Sequence, residues 1–226
     1  MDMRYEIKGG SFPVAVCKMS AGEAINCEAG AMSWMDPTIQ METKSGGLGK
    51  LVGRVLTNET LFLNRYVANA DGEIAFSANS PGEIRAIDIQ PGRSVVCQKG
   101  AFLASDESVD LDIFFQKKIG TGFFGGEGFV MQKLSGQGTA LIEIDGSTVE
   151  YELAAGESKT IDSGYLVMMD DTCSIDVVMI KGVKNVLFGG EGLFNTVVTG
   201  PGRIVLQTMP MVQIVARIAS MMSTKS

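Results

Sequence analysis

Apolar and polar residues alternate with a period of two along much of the chain. Gly82 to Ile89 (GEIRAIDI), Thr139 to Ile144 (TALIEI) and Val149 to Leu153 (VEYEL) all follow that pattern. The period is that of a β-strand with one apolar face, and the β-branched content agrees. Asp145-Gly146, between the last two runs, predicts a two-residue hairpin, because a type I′ turn needs positive φ at both central positions. Ser135 to Gly138 and Asn69 to Gly72 predict longer hairpin loops. The period changes at the end of the chain. Met211, Ile214, Val215, Ile218, Met221 and Met222 are spaced i, i+3, i+4, i+7, and Pro210 suits a helix start. The pattern predicts an all-β body followed by one short helix.

The body repeats itself. FGGEGFVMQKLSGQG from Phe124 returns as FGGEGLFNTVVTGPG from Phe188, an offset of 188 − 124 = 64 residues. Three further segments align: AGEAINCEAGAMSWM from Ala21, PGRSVVCQKGAFLAS from Pro91 and AGESKTIDSGYLVMM from Ala155. Gly22, Gly92 and Gly156 fall in step, as do Gly30, Gly100 and Gly164. Cys27 and Cys97 match each other, with Ile161 in the third place. A position shared by Cys and Ile predicts a small buried apolar residue. In the first copy the second signature is weaker, NETLFLNRYVANADGEIAF from Asn58, where Glu59 aligns with Glu127 and Glu191. A fixed period means one supersecondary unit used more than once.

These spacings predict three units, about 22–91, 92–155 and 156–210, with a helix and tail over 211–226. The third unit stops near Pro210, before its last hairpin. Residues 1–21 lead into Gly22 as Thr148 to Leu153 lead into Gly156. The N-terminal strands are therefore expected to complete the third unit. The repeats would then close into one sandwich or barrel-like domain with no free edge.

Composition narrows the function. The 226 residues are 45% apolar and 20% charged, enough for a sizeable core. A net charge of −7 disfavours a broad nucleic-acid face. There is no histidine, which excludes a Ser-His-Asp or Cys-His centre and any histidine-ligated metal. Four cysteines without a CxxC predict neither a zinc site nor a disulfide framework, and suit a reducing compartment. The N-terminus, MDMRYEIKGG, lacks a signal or transit pattern, and no uncharged run is long enough for a transmembrane segment.

The three units, the GGEG(F/L) signatures and the CEAGAMSWM segment together resemble the altered-inheritance-of-mitochondria family, also described as mitochondrial biogenesis proteins. The resemblance covers roughly residues 5 to 210. It implies tandem β units similar to the tryptophan RNA-binding attenuation (TRAP) protein, in a bacterial-type member of unassigned function, often further assembled. RNA binding does not come with the fold, since Arg65, Lys117, Lys118 and Lys133 are scattered through an acidic chain.

Candidate chemistry rests on a few residues. Glu59, Glu127 and Glu191 occupy matching places. Either they converge on a hard cation such as Ca²⁺ or Mg²⁺, or each accepts hydrogen bonds from its own glycine turn. Ser45 to Arg54 (SGGLGKLVGR) is either an anion cradle using Lys50 and Arg54 or an insertion in the first unit. Leu51 follows Lys50 where a Walker motif has Ser or Thr. Trp34, the only tryptophan, is expected in the core, with a stacking platform as the alternative. The helix face at Met211, Ile214, Val215, Ile218, Met221 and Met222 either packs on the body or serves self-association. The resulting expectation is a non-enzymatic structural or interaction protein of the cytoplasm without a cofactor. It would be a homo-oligomer or dock on a protein partner. A small-molecule or metal-ion binding module is the alternative.

Overall fold

The structure, a computed structural model, describes residues 3–42, 63–117, 129–179 and 194–223. The described chain is all-β, with one α-helix after the last strand. β1 (Arg4–Lys8), β2 (Val14–Met19), β4 (Met32–Met35) and β7 (Gly72–Ser77) form a four-stranded sheet in the order β1-β2-β7-β4. Six strands follow in the order β5-β6-β3-β10-β13-β8. They are β3 (Ala24–Glu28), β5 (Ile39–Glu42), β6 (Leu63–Ala68), β8 (Gly82–Ile89), β10 (Phe102–Asp106) and β13 (Gly138–Asp145). The third sheet runs β11-β12-β9-β16-β19-β14. It uses β9 (Val95–Gln98), β11 (Val109–Lys117), β12 (Phe129–Gly136), β14 (Thr148–Leu153), β16 (Leu166–Asp170) and β19 (Gly202–Gln207). The fourth is β15-β18-β17, made of β15 (Ser158–Asp162), β17 (Ser174–Met179) and β18 (Phe194–Thr199). Helix α1 spans Met211–Ser223.

Three apolar cores separate these sheets. The first gathers Cys17, Ile25, Cys27, Phe76 and Leu141. The second gathers Cys97, Phe102, Leu134, Ile142 and Val205, and the third Val96, Phe129, Met131, Leu166 and Val198. Both six-stranded sheets are covered on two faces. In β13, Leu141 joins the first core while Ala140, Ile142 and Ile144 join the second. In β9, Val95 and Cys97 join the second core and Val96 the third. The alternation of TALIEI predicts a strand with one wet face, and this strand has none: even Glu143 is buried. Its carboxylate accepts from the Asn79 backbone N–H at 2.7 Å and from Asn79 Nδ2 at 2.9 Å.

The turns carry a different duty from the one their sequence predicts. Asp145-Gly146 is not a hairpin: β13 pairs with β8 and β10, whereas β14 pairs with β19 in the next sheet. The loops Asn69 to Gly72 and Ser135 to Gly138 likewise carry the chain from one sheet to another, β6 to β7 and β12 to β13. Turn chemistry fixes the local bend and says nothing about which sheet the next strand joins. The N-terminus differs as well. β2 pairs with β7 along Val14–Met19, so residues 4–19 complete the first sheet and not the third unit. The described strands form four open sheets and no closed barrel.

One polar device recurs at the sheet crossings. Asp36 Oδ2 accepts from Glu73 N at 2.9 Å, Asp106 Oδ2 from Thr139 N at 2.7 Å, and Asp170 Oδ2 from Arg203 N at 2.9 Å. Each carboxylate lies against a glycine. A Cβ on Gly138 would stand 2.8 Å from Asp106 Cβ and Oδ2, and one on Gly202 would stand 3.2 Å from Asp170 Cβ. Gly138 also has φ +133, a conformation L side chains rarely adopt.

Gly138→Ala is therefore expected to cost about 2 kcal/mol or more through strain and displacement of Asp106. Gly100→Ala, with open space around it, is expected to change little. Thermal melts of the two variants check this, and equal melting temperatures would refute the close-approach argument. A second expectation concerns pH. Burial pushes the Glu143 carboxyl above its ordinary range, against the pull of Asn79. Below that range both folded and unfolded states are protonated and nothing is lost. As pH rises, the unfolded chain ionises first, so stability falls until the raised folded value is passed. Glu143→Gln should therefore gain relative to the parent as pH rises above about 4, where the unfolded glutamate ionises. A difference in melting temperature that stays flat as pH rises would contradict it.

Candidate interaction surface

The residues that carry the sequence signatures divide sharply. Glu59, Glu127, Glu191, Lys50 and Arg54 lie outside the described residues. Among the described residues, no group of three or more Cys, Asp or Glu is placed to hold a metal ion.

The cysteines are free and buried. Burial pushes the thiols of Cys17, Cys27 and Cys97 up to about 12, and raises that of Cys173 as well. At neutral pH they are protonated and behave as small apolar groups rather than nucleophiles.

A cleft of ≈ 300 Å³ opens beside the first core, lined by Arg4, Lys18, Glu23, Asp106 and Glu107 among others. Its charges are largely turned on one another. Arg4 Nη2 reaches Glu23 Oε2 at 2.9 Å and Ser20 Oγ at 2.8 Å. Glu23 also accepts from Ser20 N at 2.6 Å, and Asp106 from Met3 N at 3.2 Å. Groups engaged in this way tie the N-terminal strand to the turn between β2 and β3 and to the end of β10.

Helix α1 is held at its first turns. Asp145 Oδ2 accepts from Met211 N at 2.7 Å, which places a carboxylate on the helix N-terminus, where orphan N–H groups and the dipole favour it. Asp145 also accepts from Ser80 Oγ. Gln213 Nε2 donates to Asp162 Oδ2 at 3.0 Å, and Val212 packs over Gly164. Met211 and Ile214 are half-buried. Val215, Ile218 and Met221 are 57%, 53% and 59% exposed. The Met222 side chain lies outside the described residues. The apolar spacing thus serves two ends, one part seated on the body and one part facing outward.

Trp34 corrects the core expectation. It is 49% exposed on β4, which ends its sheet. The matching residues of β10 and β16, Ala104 and Met168, are 0% and 3% exposed because a further strand pairs beside them. The difference lies in the neighbouring strand, which local sequence does not report. The set Asp36, Asp106 and Asp170 escaped the sequence comparison although the signal was present. Each Asp stands one residue beyond the aligned segments ending MSWM, FLAS and LVMM.

Comparison with known proteins agrees with this architecture. The chain is 30% identical over 235 residues to an uncharacterized protein of Streptococcus pyogenes serotype M6, spanning 99% of this chain and 93% of that protein. It is 28% identical to a Streptococcus pyogenes protein solved by X-ray crystallography, with a TM-score of 0.79 over 96% of this chain and 99% of that one. The family model described as mitochondrial biogenesis AIM24 matches residues 5–209, from β1 through β19. With that match spanning all three cores, the chain belongs to the mitochondrial biogenesis AIM24 family.

Proposed function

We propose that this is a non-enzymatic structural or interaction protein of the cytoplasm that assembles with copies of itself. One observation carries the reading. Helix α1 is pinned by Asp145 and Asp162, yet leaves Val215 and Ile218 exposed. Among the described residues these two side chains stay more than half exposed, and an apolar face on a fixed helix suits docking. The chain's chemistry agrees. It has no histidine, its thiols are held protonated, and the charges of the cleft engage each other. Four free, buried cysteines suit a reducing compartment. Among the described residues no helix is long and apolar enough to cross a membrane.

Native mass spectrometry of the untagged protein tests the reading. An integer multiple of 24.0 kDa, two or more, is expected. A monomer would overturn self-assembly, and mass beyond the bare multiple would favour the ion- or small-molecule-binding alternative. The helix attachment is tested separately. Asp145→Ala removes the carboxylate from the α1 N-terminus and should cost about 1 kcal/mol, with earlier proteolytic cleavage within 211–223. Unchanged cleavage would show that Asp145 does not hold the helix.

A further inference from the structure

Each interior sheet is joined by the same kind of seam. β10 pairs antiparallel with β3, setting Ala104 opposite Cys27, Ser105 opposite Asn26 and Asp106 opposite Ile25. β16 pairs with β9, setting Met168 opposite Cys97, Met169 opposite Val96 and Asp170 opposite Val95. The two seams are related by constant offsets on both sides: 97 − 27 = 70, and 168 − 104 = 64. Applying those offsets once more leads to two strands with no such partner. From Ala104, 104 − 70 = 34 reaches Trp34 on β4; from Cys97, 97 + 64 = 161 reaches Ile161 on β15.

Both strands end their sheets, β1-β2-β7-β4 and β15-β18-β17. Other strands also end sheets: β1 ends the first, covering β2, and the rest fall in matching sets. β5, β11 and β17 do so in three sheets, and β8 and β14 in two. Among the described residues, β4 and β15 are the edge strands whose two counterparts are both paired on both sides. Their backbones are also turned outward at the matching places. Asp36 N donates to Glu73 O at 2.9 Å, so the neighbouring Met35 N–H points away from β7. Gly200 N donates to Glu157 O at 2.9 Å, so Thr160, three residues on, points away from β18.

We propose that β4 of one copy pairs antiparallel with β15 of a second copy, repeating the internal seam head to tail. The inference rests on the self-assembly reading above and names its interface. The register puts Trp34 opposite Ile161, Met35 opposite Thr160 and Asp36 opposite Lys159. The first is an aromatic–β-branched pair and the last an opposite-charge pair, both favourable across strands. The internal seams have Ile25 and Val95 where the end has Lys159, so the charge pair is peculiar to the junction between copies. Lys159 Nζ lies 4.0 Å over the ring of Tyr151 on β14, a contact it would exchange for Asp36. A heterologous contact of this kind closes into a ring or runs on as a filament according to the rotation it imposes.

The test uses two variants and their mixture. Met35→Pro removes the outward N–H of β4 and leaves β15 intact; Thr160→Pro does the reverse. With Val215→Ser and Ile218→Ser in both chains to remove any α1 contact, each alone is expected to be a monomer in native mass spectrometry. Mixed, they retain one good edge each and should form a 1:1 pair of 2 × 24.0 = 48.0 kDa, with nothing larger. Circular dichroism checks that each variant is folded. If proline unfolds either one, Trp34→Glu and Lys159→Glu replace them, since both act at the edge, and the same mixing pattern is expected. Variants that assemble like the parent would overturn the β4–β15 seam while leaving self-assembly standing, through another surface. A mixture that stays monomeric would also overturn it. A monomeric parent would overturn both the seam and the reading on which it rests.

Discussion

The hydrogen-bonded seam between β3 and β10, with its counterpart between β9 and β16, is the interaction on which the rest of the structure depends. It turns two three-stranded halves into one six-stranded sheet. That sheet then has an apolar layer on each face, and a strand such as β13 buries Leu141 on one side and Ile142 on the other. Without the seam each half-sheet would expose a row of unpaired N–H and C=O groups beside an apolar face, which is costly in water and prone to mispairing. The Asp–Gly latches at 106/138 and 170/202 sit at the ends of these seam strands. They receive the next strand's N–H as the chain crosses between sheets. Shape and polarity therefore cooperate: the glycine makes room, and the carboxylate satisfies the backbone that comes through.

Much of this was legible in the sequence, and what was not legible has a physical cause. Strand positions follow from alternation, and β8, β13 and β14 lie where GEIRAIDI, TALIEI and VEYEL predict them. The helix begins at Met211, after Pro210, as the spacing predicts. Cys27 and Cys97 are fully buried, as their exchange with Ile161 implies. Sheet membership is another matter. A Gly with φ +79 at 146 bends the chain whether the next strand returns to its neighbour or crosses to another sheet, so Asp145-Gly146 looks like a hairpin in sequence. Nor does local pattern reveal the number of covered faces. TALIEI contains a Glu, and only Asn79, a residue distant in sequence, makes its burial tolerable. Trp34 fails for the same reason in reverse, since among the described residues no further strand pairs beside β4.

Asp145 shows how far a tertiary role can depart from the local one. In sequence it is half of a turn dipeptide. In the fold its backbone carbonyl accepts from Met209 N at 3.1 Å while its carboxylate takes Met211 N and Ser80 Oγ. One side chain thus ties the end of β13, the 77–82 crossing and the start of α1 into a single knot. The helix has no N-cap side chain of its own at Pro210, so the cap is supplied from a strand 65 residues earlier in the chain, 210 − 145 = 65. A helix capped from outside is oriented by the body, which is why its outer face is presented in a fixed direction and not merely left apolar.

Charge sets the terms for any contact between copies. Each chain carries a net charge of −7, so two copies repel when they are apart. At physiological salt that repulsion is screened beyond roughly 8 Å, and at contact it must be outweighed by short-range terms. Backbone hydrogen bonds across a strand edge, apolar burial at Trp34 and the α1 face, and one local Asp–Lys pair are terms of that range. An acidic protein built on such edges would not attract copies from a distance. It would associate where strand register and side-chain pairs match, which is the condition already met twice within the chain.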